Sequence, residues 1–156
     1  MKVAVGGTFD PLHDGHKKLL KKVFELSEGG KIVVGVTSDR FARATKKVLL
    51  RPYAARAARV RRFLREECGV GGRGVKVETV ELNDRFGVAL DEDFECLVIS
   101  PETYEVALEI NRLRKERGRK PIKIVKVEHL KAADGKPISS TRIKKGEINE
   151  HGALLQ

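Results

Sequence analysis

At 156 residues the chain can bury a hydrophobic core without a disulfide scaffold or a structural metal, and its length suits one domain running from residue 1 to 156. With 32 Lys and Arg against 22 Asp and Glu, the formal charge of +10 points to an anionic partner: nucleic acid, a membrane surface or a small phosphorylated molecule. No apolar run approaches the roughly 20 residues of a membrane span and no charged-then-apolar leader opens the chain. Cys68 and Cys96 stand in no metal-ligand spacing, so reduced thiols and a cytoplasmic setting are expected.

In chain order, residues 2–6 read as a first strand and 31–37, with Ile32-Val33-Val34-Gly35-Val36, as a second; both are apolar nearly throughout, as strands covered on two faces should be. Between them Leu19, Leu20, Val23, Phe24, Leu26 and Ser27 share one side of a helix over 15–28, with Lys17, Lys18, Lys21 and Lys22 on the other. Gly29-Gly30 ends it. A second helix over 54–68 turns Ala57, Val60, Leu64 and Cys68 inward and Arg56, Arg59, Arg62 and Arg65 outward, and a glycine-rich turn follows. Residues 75–82, 96–100 and 122–127 supply three more strands. Ser100-Pro101-Glu102 opens a helix that ends near Gly118, and a short last helix over 138–145 is capped by Ser139 or Ser140. The tail after Asn149 has no pattern and is expected to fray. Alternating strands and helices define the α/β class: a Rossmann-like, doubly wound parallel sheet of about five strands with flanking helices.

In such sheets ligands bind where strands end and helices begin, because backbone N–H groups there can meet phosphate. The first of these turns is Gly6-Gly7-Thr8-Phe9-Asp10-Pro11-Leu12-His13-Asp14-Gly15-His16. The two glycines let the chain leave the strand sharply and approach a ligand closely. Thr8 offers a hydroxyl, Asp10 a carboxylate, and His13 and His16 flank Gly15. Alone, His16 would read as a buried core histidine and Ser139 to Thr141 as an ordinary helix cap; together they suggest a phosphate cradle.

His13-Asp14-Gly15-His16 resembles the HxGH motif of the nucleotidylyltransferase superfamily, and Ile138-Ser139-Ser140-Thr141-Arg142-Ile143-Lys144 resembles its second signature, ISSTxIR. The pattern of nearly the whole chain, with Asn83-Asp84-Arg85-Phe86-Gly87, Ser100-Pro101-Glu102-Thr103 and Ile110-Asn111, is similar to the archaeal type of phosphopantetheine adenylyltransferase. The resemblance implies direct transfer of AMP from magnesium-bound ATP to 4'-phosphopantetheine, giving dephospho-coenzyme A and pyrophosphate with no enzyme nucleophile. It casts His16, His13 and Thr8 as catalytic. It casts Gly6, Gly7, Thr8, His13, Gly15, His16, Ser139, Ser140, Thr141, Arg142 and Lys144 as ATP-binding, and Thr8, Phe9, Asp10, Lys46 and Lys47 as meeting the acceptor. No protein cluster for the Mg2+ is expected.

Lys144 departs from the arginine of the pattern and cannot make a two-pronged bond to phosphate; either Arg142 supplies that geometry or pyrophosphate is held less rigidly. Nicotinamide mononucleotide, or a CTP-dependent transfer to a phosphorylated alcohol, would share both motifs, and only the middle of the chain leans against them. A basic RNA-binding module is the rival of another class, but the arginine-rich face lacks interleaved aromatics. The expected partners are therefore small molecules, with no nucleic acid and no membrane; the oligomeric state is open, with a monomer preferred. Asp91-Glu92-Asp93 reads as a solvated lead-in to the fourth strand.

Overall fold

The computed structural model describes residues 1–45, 50–70 and 74–156. Among them, β1 (Lys2–Gly7), β2 (Lys31–Thr37), β3 (Lys76–Leu82), β4 (Cys96–Ile99) and β5 (Lys123–Lys126) form one parallel sheet in the order β3-β2-β1-β4-β5. Among the described residues five α-helices accompany it: α1 (Asp14–Ser27), α2 (Asp39–Thr45), α3 (Tyr53–Glu67), α4 (Tyr104–Glu116) and α5 (Ser140–Lys144). The doubly wound parallel sheet is thus the one expected.

Strand alternation sends residues to two separate cores. Val3, Val5, Ile32, Val34, Val36 and Val98 pack with Leu19, Leu20 and Val23 of α1 and Ala57, Val60, Phe63 and Leu64 of α3. Ala4, Val33, Leu97 and Ile99 face the other way, toward Ala107 and Ile110 of α4. The strand order reverses at β1, with β2 and β3 on one side and β4 and β5 on the other, so the chain leaves β1 and β4 in opposite directions and a crevice opens between their carboxyl ends.

Several local expectations change. The left-handed residue that stops α1 is Glu28, at φ 47°, one position before the glycines. Helix α2 and a 3-10 turn over Gly87–Leu90 are additional elements. Arg56 does not share the solvent face of Arg59, Arg62 and Arg65: it is 1% exposed. Its Nε donates to the Arg51 carbonyl (2.8 Å), Nη1 to the Thr8 carbonyl (3.1 Å) and Thr37 Oγ1 (3.2 Å), and Nη2 to Asp39 Oδ1 (2.9 Å). A guanidinium with its donors met in this way can be buried.

The acidic run before β4 is exposed, as expected, and also carries ion pairs. Asp93 accepts from Arg114 Nη2 at 2.9 Å, and Arg114, also 1% exposed, donates to the carbonyls of Ala89, Glu92 and Lys120. The tail after Asn149, expected to fray, is hydrogen-bonded back to the chain. Asn149 N–H bonds the Ala153 carbonyl, Ala133 N–H the Gly152 carbonyl and Leu155 N–H the Glu147 carbonyl, while Ile148 bridges Leu154. These bonds give the tail's backbone partners that no side-chain pattern announces. No helix among the described residues is long and apolar enough to cross a membrane.

Candidate active site

A cavity of about 440 Å³ opens at the carboxyl ends of β1 and β4. Its polar end is lined by Gly6, Gly7 and Thr8 from the end of β1, His13, Gly15 and His16 from the start of α1, and Ser139, Ser140 and Thr141 from the start of α5. The two signatures, separated by more than a hundred residues of sequence, therefore face one space.

His13 is the N-cap of α1 and forms a reciprocal capping box with His16. His16 N–H donates to His13 Nδ1 at 3.3 Å, and His13 N–H donates to His16 Nδ1 at 3.2 Å. The rings stack with centroids 3.7 Å apart and an interplanar angle of 18°. An Nδ1 that accepts a hydrogen bond carries no proton, so each neutral ring has its hydrogen on Nε2. Gly15 is required by this stack: a Cβ on it would lie 2.9 Å from His13 Cε1. The same position is 3.9 Å from the Ile138 carbonyl oxygen, a measure of how closely the second signature approaches the first.

The chain leaves β1 differently from expectation. The sharp turn falls on Phe9, at φ 54°, and the following Asp10–Pro11 peptide is cis. Gly7 makes room for the Phe9 ring, whose atoms lie 3.0 to 3.3 Å from where a Cβ would stand. Phe9 is buried, with its ring centroid 5.1 Å from that of His16, so it supports the histidines from below and does not line the cavity. Asp10 is also buried beneath the loop. Its Oδ2 accepts from Lys144 Nζ at 2.8 Å and from Arg51 N–H at 3.0 Å. Lys144 thus ties the end of α5 to the β1 loop. Arg142 turns away: its guanidinium donates to the Asp134 carboxylate and, at 3.2 Å, to the Pro137 carbonyl. That bond is the main cause holding the Asp134 carboxyl below its ordinary range. Neither Arg142 nor Lys144 lines the cavity. Lys46 and Lys47 lie outside the described residues.

Helix α5 is held in place by a small core of Ala132, Ile138 and Ile148 with Ile143 against it. Ser139 Oγ caps the helix by accepting Arg142 N–H at 3.2 Å, which leaves the first-turn N–H groups of Ser140 and Thr141 to partners outside the helix. The tail closes the assembly from below: Asp14 N–H donates to the Glu150 carbonyl at 3.0 Å and the Asp14 carboxylate meets His151 Nδ1 at 3.0 Å.

By sequence, Arg85 and Glu102 enter only as part of the family pattern, Arg56 is set on a solvent face, and Thr37 and His129 are assigned no role; Thr37, Arg85, Glu102 and His129 line the cavity and Arg56 lies behind it. Two of these carried a signal. Thr37 ends a predicted strand, where ligand-facing residues collect, and Arg56 is spaced i, i+4, i+7 with Val60 and Phe63 on the apolar stripe.

The cytidylyltransferase-like family model matches residues 4–146. A phosphopantetheine adenylyltransferase of Archaeoglobus fulgidus is 52% identical over 99% of this chain and all of its own length. Another, of Methanosarcina mazei, is 47% identical over 98% of this chain and 96% of its own. A crystal structure of an Archaeoglobus fulgidus protein described as of unknown function superposes with a TM-score of 0.71 at 50% identity, covering 81% of this chain and 89% of that one. The chain belongs to the cytidylyltransferase-like family and, within it, to the phosphopantetheine adenylyltransferases.

Proposed function

We propose that the chain transfers the adenylyl group of ATP to 4'-phosphopantetheine, forming dephospho-coenzyme A and pyrophosphate. The observation that carries this is the meeting of both signatures at one cavity, with the His13 and His16 rings lining one part of it and Ser139, Ser140 and Thr141 another. The acceptor follows from relatives of that name matched along 100% and 96% of their own length.

In the proposed reaction an oxygen of the acceptor phosphate attacks the α-phosphorus in line. The new P–O bond forms as the bond to the α,β-bridging oxygen breaks, and its electron pair leaves with pyrophosphate. Catalysis is then positioning and charge neutralisation. His16 donates from Nε2 to the oxygens that gain charge as phosphorus becomes five-coordinate, and His13 donates to ATP phosphate. Thr8 sits where the two substrates join, with its hydroxyl on phosphate. Ser139, Ser140 and Thr141 hold the β and γ phosphates. The apolar part of the cavity, lined by Val33, Leu97, Ile99, Val106 and Ile110, suits the uncharged parts of the substrates.

Magnesium would arrive with ATP and neutralise triphosphate charge. Among the described residues no group of three or more His, Cys, Asp or Glu could hold a metal ion, and the Asp10 carboxylate is engaged by Lys144 and Arg51. In this reading the ion would be ligated by phosphate and water. The same reading needs neither nucleic acid nor membrane, is complete in a monomer, and suits a reducing cytoplasm, with Cys68 and Cys96 as free thiols.

The test is a coupled pyrophosphate assay over a panel of acceptors, each with ATP and with CTP. Release that requires ATP, magnesium and 4'-phosphopantetheine together is expected. Release with nicotinamide mononucleotide or a phosphorylated alcohol in its place would reassign the acceptor.

A further inference from the structure

The buried Arg56 lies behind the cavity wall, and its bonds run toward the site in one direction. Asp39 Oδ1 accepts from Nη2 at 2.9 Å, and Nη1 donates to Thr37 Oγ1 at 3.2 Å. Thr37 Oγ1 in turn donates to Thr8 Oγ1 at 3.1 Å. Thr37 is buried, Thr8 is half-buried, and both line the cavity. A guanidinium has donors and no acceptor, whereas a hydroxyl has one hydrogen and two lone pairs. The closed end of the chain can only donate, which uses one Thr37 lone pair and leaves the Thr37 hydrogen to be passed on to Thr8, the direction this contact takes here. Thr37 accepts from Arg56 and gives its hydrogen to Thr8. The Thr8 oxygen, having accepted, keeps its own hydrogen for a group in the cavity.

We propose that Arg56 and Thr37 are positioning residues that fix the Thr8 hydroxyl as a donor toward a phosphoryl oxygen in the cavity. The Asp39 carboxylate anchors the relay; its bond to Arg56 holds that carboxyl below its ordinary range. Without the relay, nothing fills the Thr8 lone pair on the protein side, and the hydroxyl is free to turn its lone pairs rather than its hydrogen toward the anion. The relay also aligns the Thr8 backbone, because Nη1 reaches the Thr8 carbonyl at 3.1 Å. This inference rests on the phosphoryl chemistry proposed above and is separable from the identity of the acceptor.

Because Arg56 also ties down the Arg51 carbonyl, replacing it threatens the fold, so the test is made on Thr37. Thr37→Val removes the middle hydroxyl while Nη1 keeps the Thr8 carbonyl. Thr37→Ser restores the hydroxyl without the methyl group. Each is built in the wild-type and Thr8→Val backgrounds. Turnover is followed with ATP and 4'-phosphopantetheine, and ATP and 4'-phosphopantetheine binding are each followed by calorimetry.

A loss of about 10-fold in kcat/KM is expected for Thr37→Val, the scale of one misoriented hydrogen bond to a charged group, with Thr37→Ser near wild type. In the Thr8→Val background, Thr37→Val is expected to add nothing, because the relay ends at that hydroxyl. Equal activity of Thr37→Val and wild type overturns the relay, and so does an undiminished loss in the Thr8→Val background. If the wild type does not turn over 4'-phosphopantetheine, the acceptor assignment fails. The calorimetric arms still decide the relay: weaker binding of a phosphorylated ligand in Thr37→Val, rescued in Thr37→Ser, supports it, and unchanged binding of both ligands overturns it.

Discussion

Lys144 has a local partner that its motif does not announce. By position it belongs with the phosphate-binding set, yet its ammonium meets the Asp10 carboxylate at 2.8 Å, and Arg142, the alternative cation, is committed to Asp134. A compact ammonium suits such a point contact better than a planar fork would. Asp10 is only 3% exposed, and the Arg51 guanidinium is farther away, at 3.6 Å. Lys144→Met should therefore strand a buried carboxylate and lower unfolding stability by about 2 kcal/mol in a denaturant titration, less than the roughly 3–5 kcal/mol of a fully broken buried pair because Arg51 remains. An unchanged midpoint and slope would show that Arg51 alone suffices. Arg56, set on a solvent face by sequence, is buried. Its place on the apolar stripe was visible, but arginine at helical spacing usually marks a solvated face, and nothing in the sequence announces the carbonyls that satisfy it.

At the level of elements, the strands were legible because those covered on both faces are nearly continuous apolar runs, and α1 was legible from its two-sided pattern. Helix α2, with Asp39, Arg40 and Arg43 among its seven residues, has too little periodicity to declare itself. The loop from β1 was placed correctly, but its turn on Phe9 was not, because a left-handed aromatic residue is rare and here depends on the space above Gly7. The tail is held by backbone bonds and by Gly152, at φ 82°, whose Cβ position is 2.9 Å from Ala132 Cα and Ile138 Cδ1. Gly152→Ala forces both a left-handed alanine and a clash into the core that carries α5. It should cost about 2 kcal/mol and lower the affinity for ATP more than 4'-phosphopantetheine affinity, read by melting and calorimetry on the same variant. A variant that melts and binds like wild type would detach the tail from the site.

Over the whole molecule, the sheet order makes the site. Reversal at β1 opens the crevice, α1 starts on one side of it, and the small core of Ala132, Ile138 and Ile148 brings α5 to the other. Three arginine contacts fasten the loops of this frame: Arg56 on Asp39, Arg114 on Asp93 and Arg142 on Asp134. In each case the arginine hydrogen bond is the main cause that lowers the carboxyl below its ordinary 3.8. A carboxyl depressed in the folded state contributes stability above the unfolded value and loses it as pH falls through the folded one. Melting temperature should hold from neutrality to about pH 5 and fall below about pH 4, with a smaller acid-induced drop in Asp93→Asn. An identical acid loss in that variant would remove Asp93 from the linkage.

The basic charge that first suggested an anionic partner finds its use in these contacts as much as in the cavity, since Arg56, Arg114 and Arg142 face carboxylates and carbonyls. What remains is whether the histidine pair acts on the reacting phosphorus. The most direct measurement is the turnover number of His16→Ala for pyrophosphate release from ATP and 4'-phosphopantetheine, taken beside its ATP affinity. A fall of about 10²–10³-fold in kcat, with ATP binding within a few-fold of wild type, is the predicted result for loss of a donor that acts in the transition state. A kcat equal to that of the wild type would contradict it.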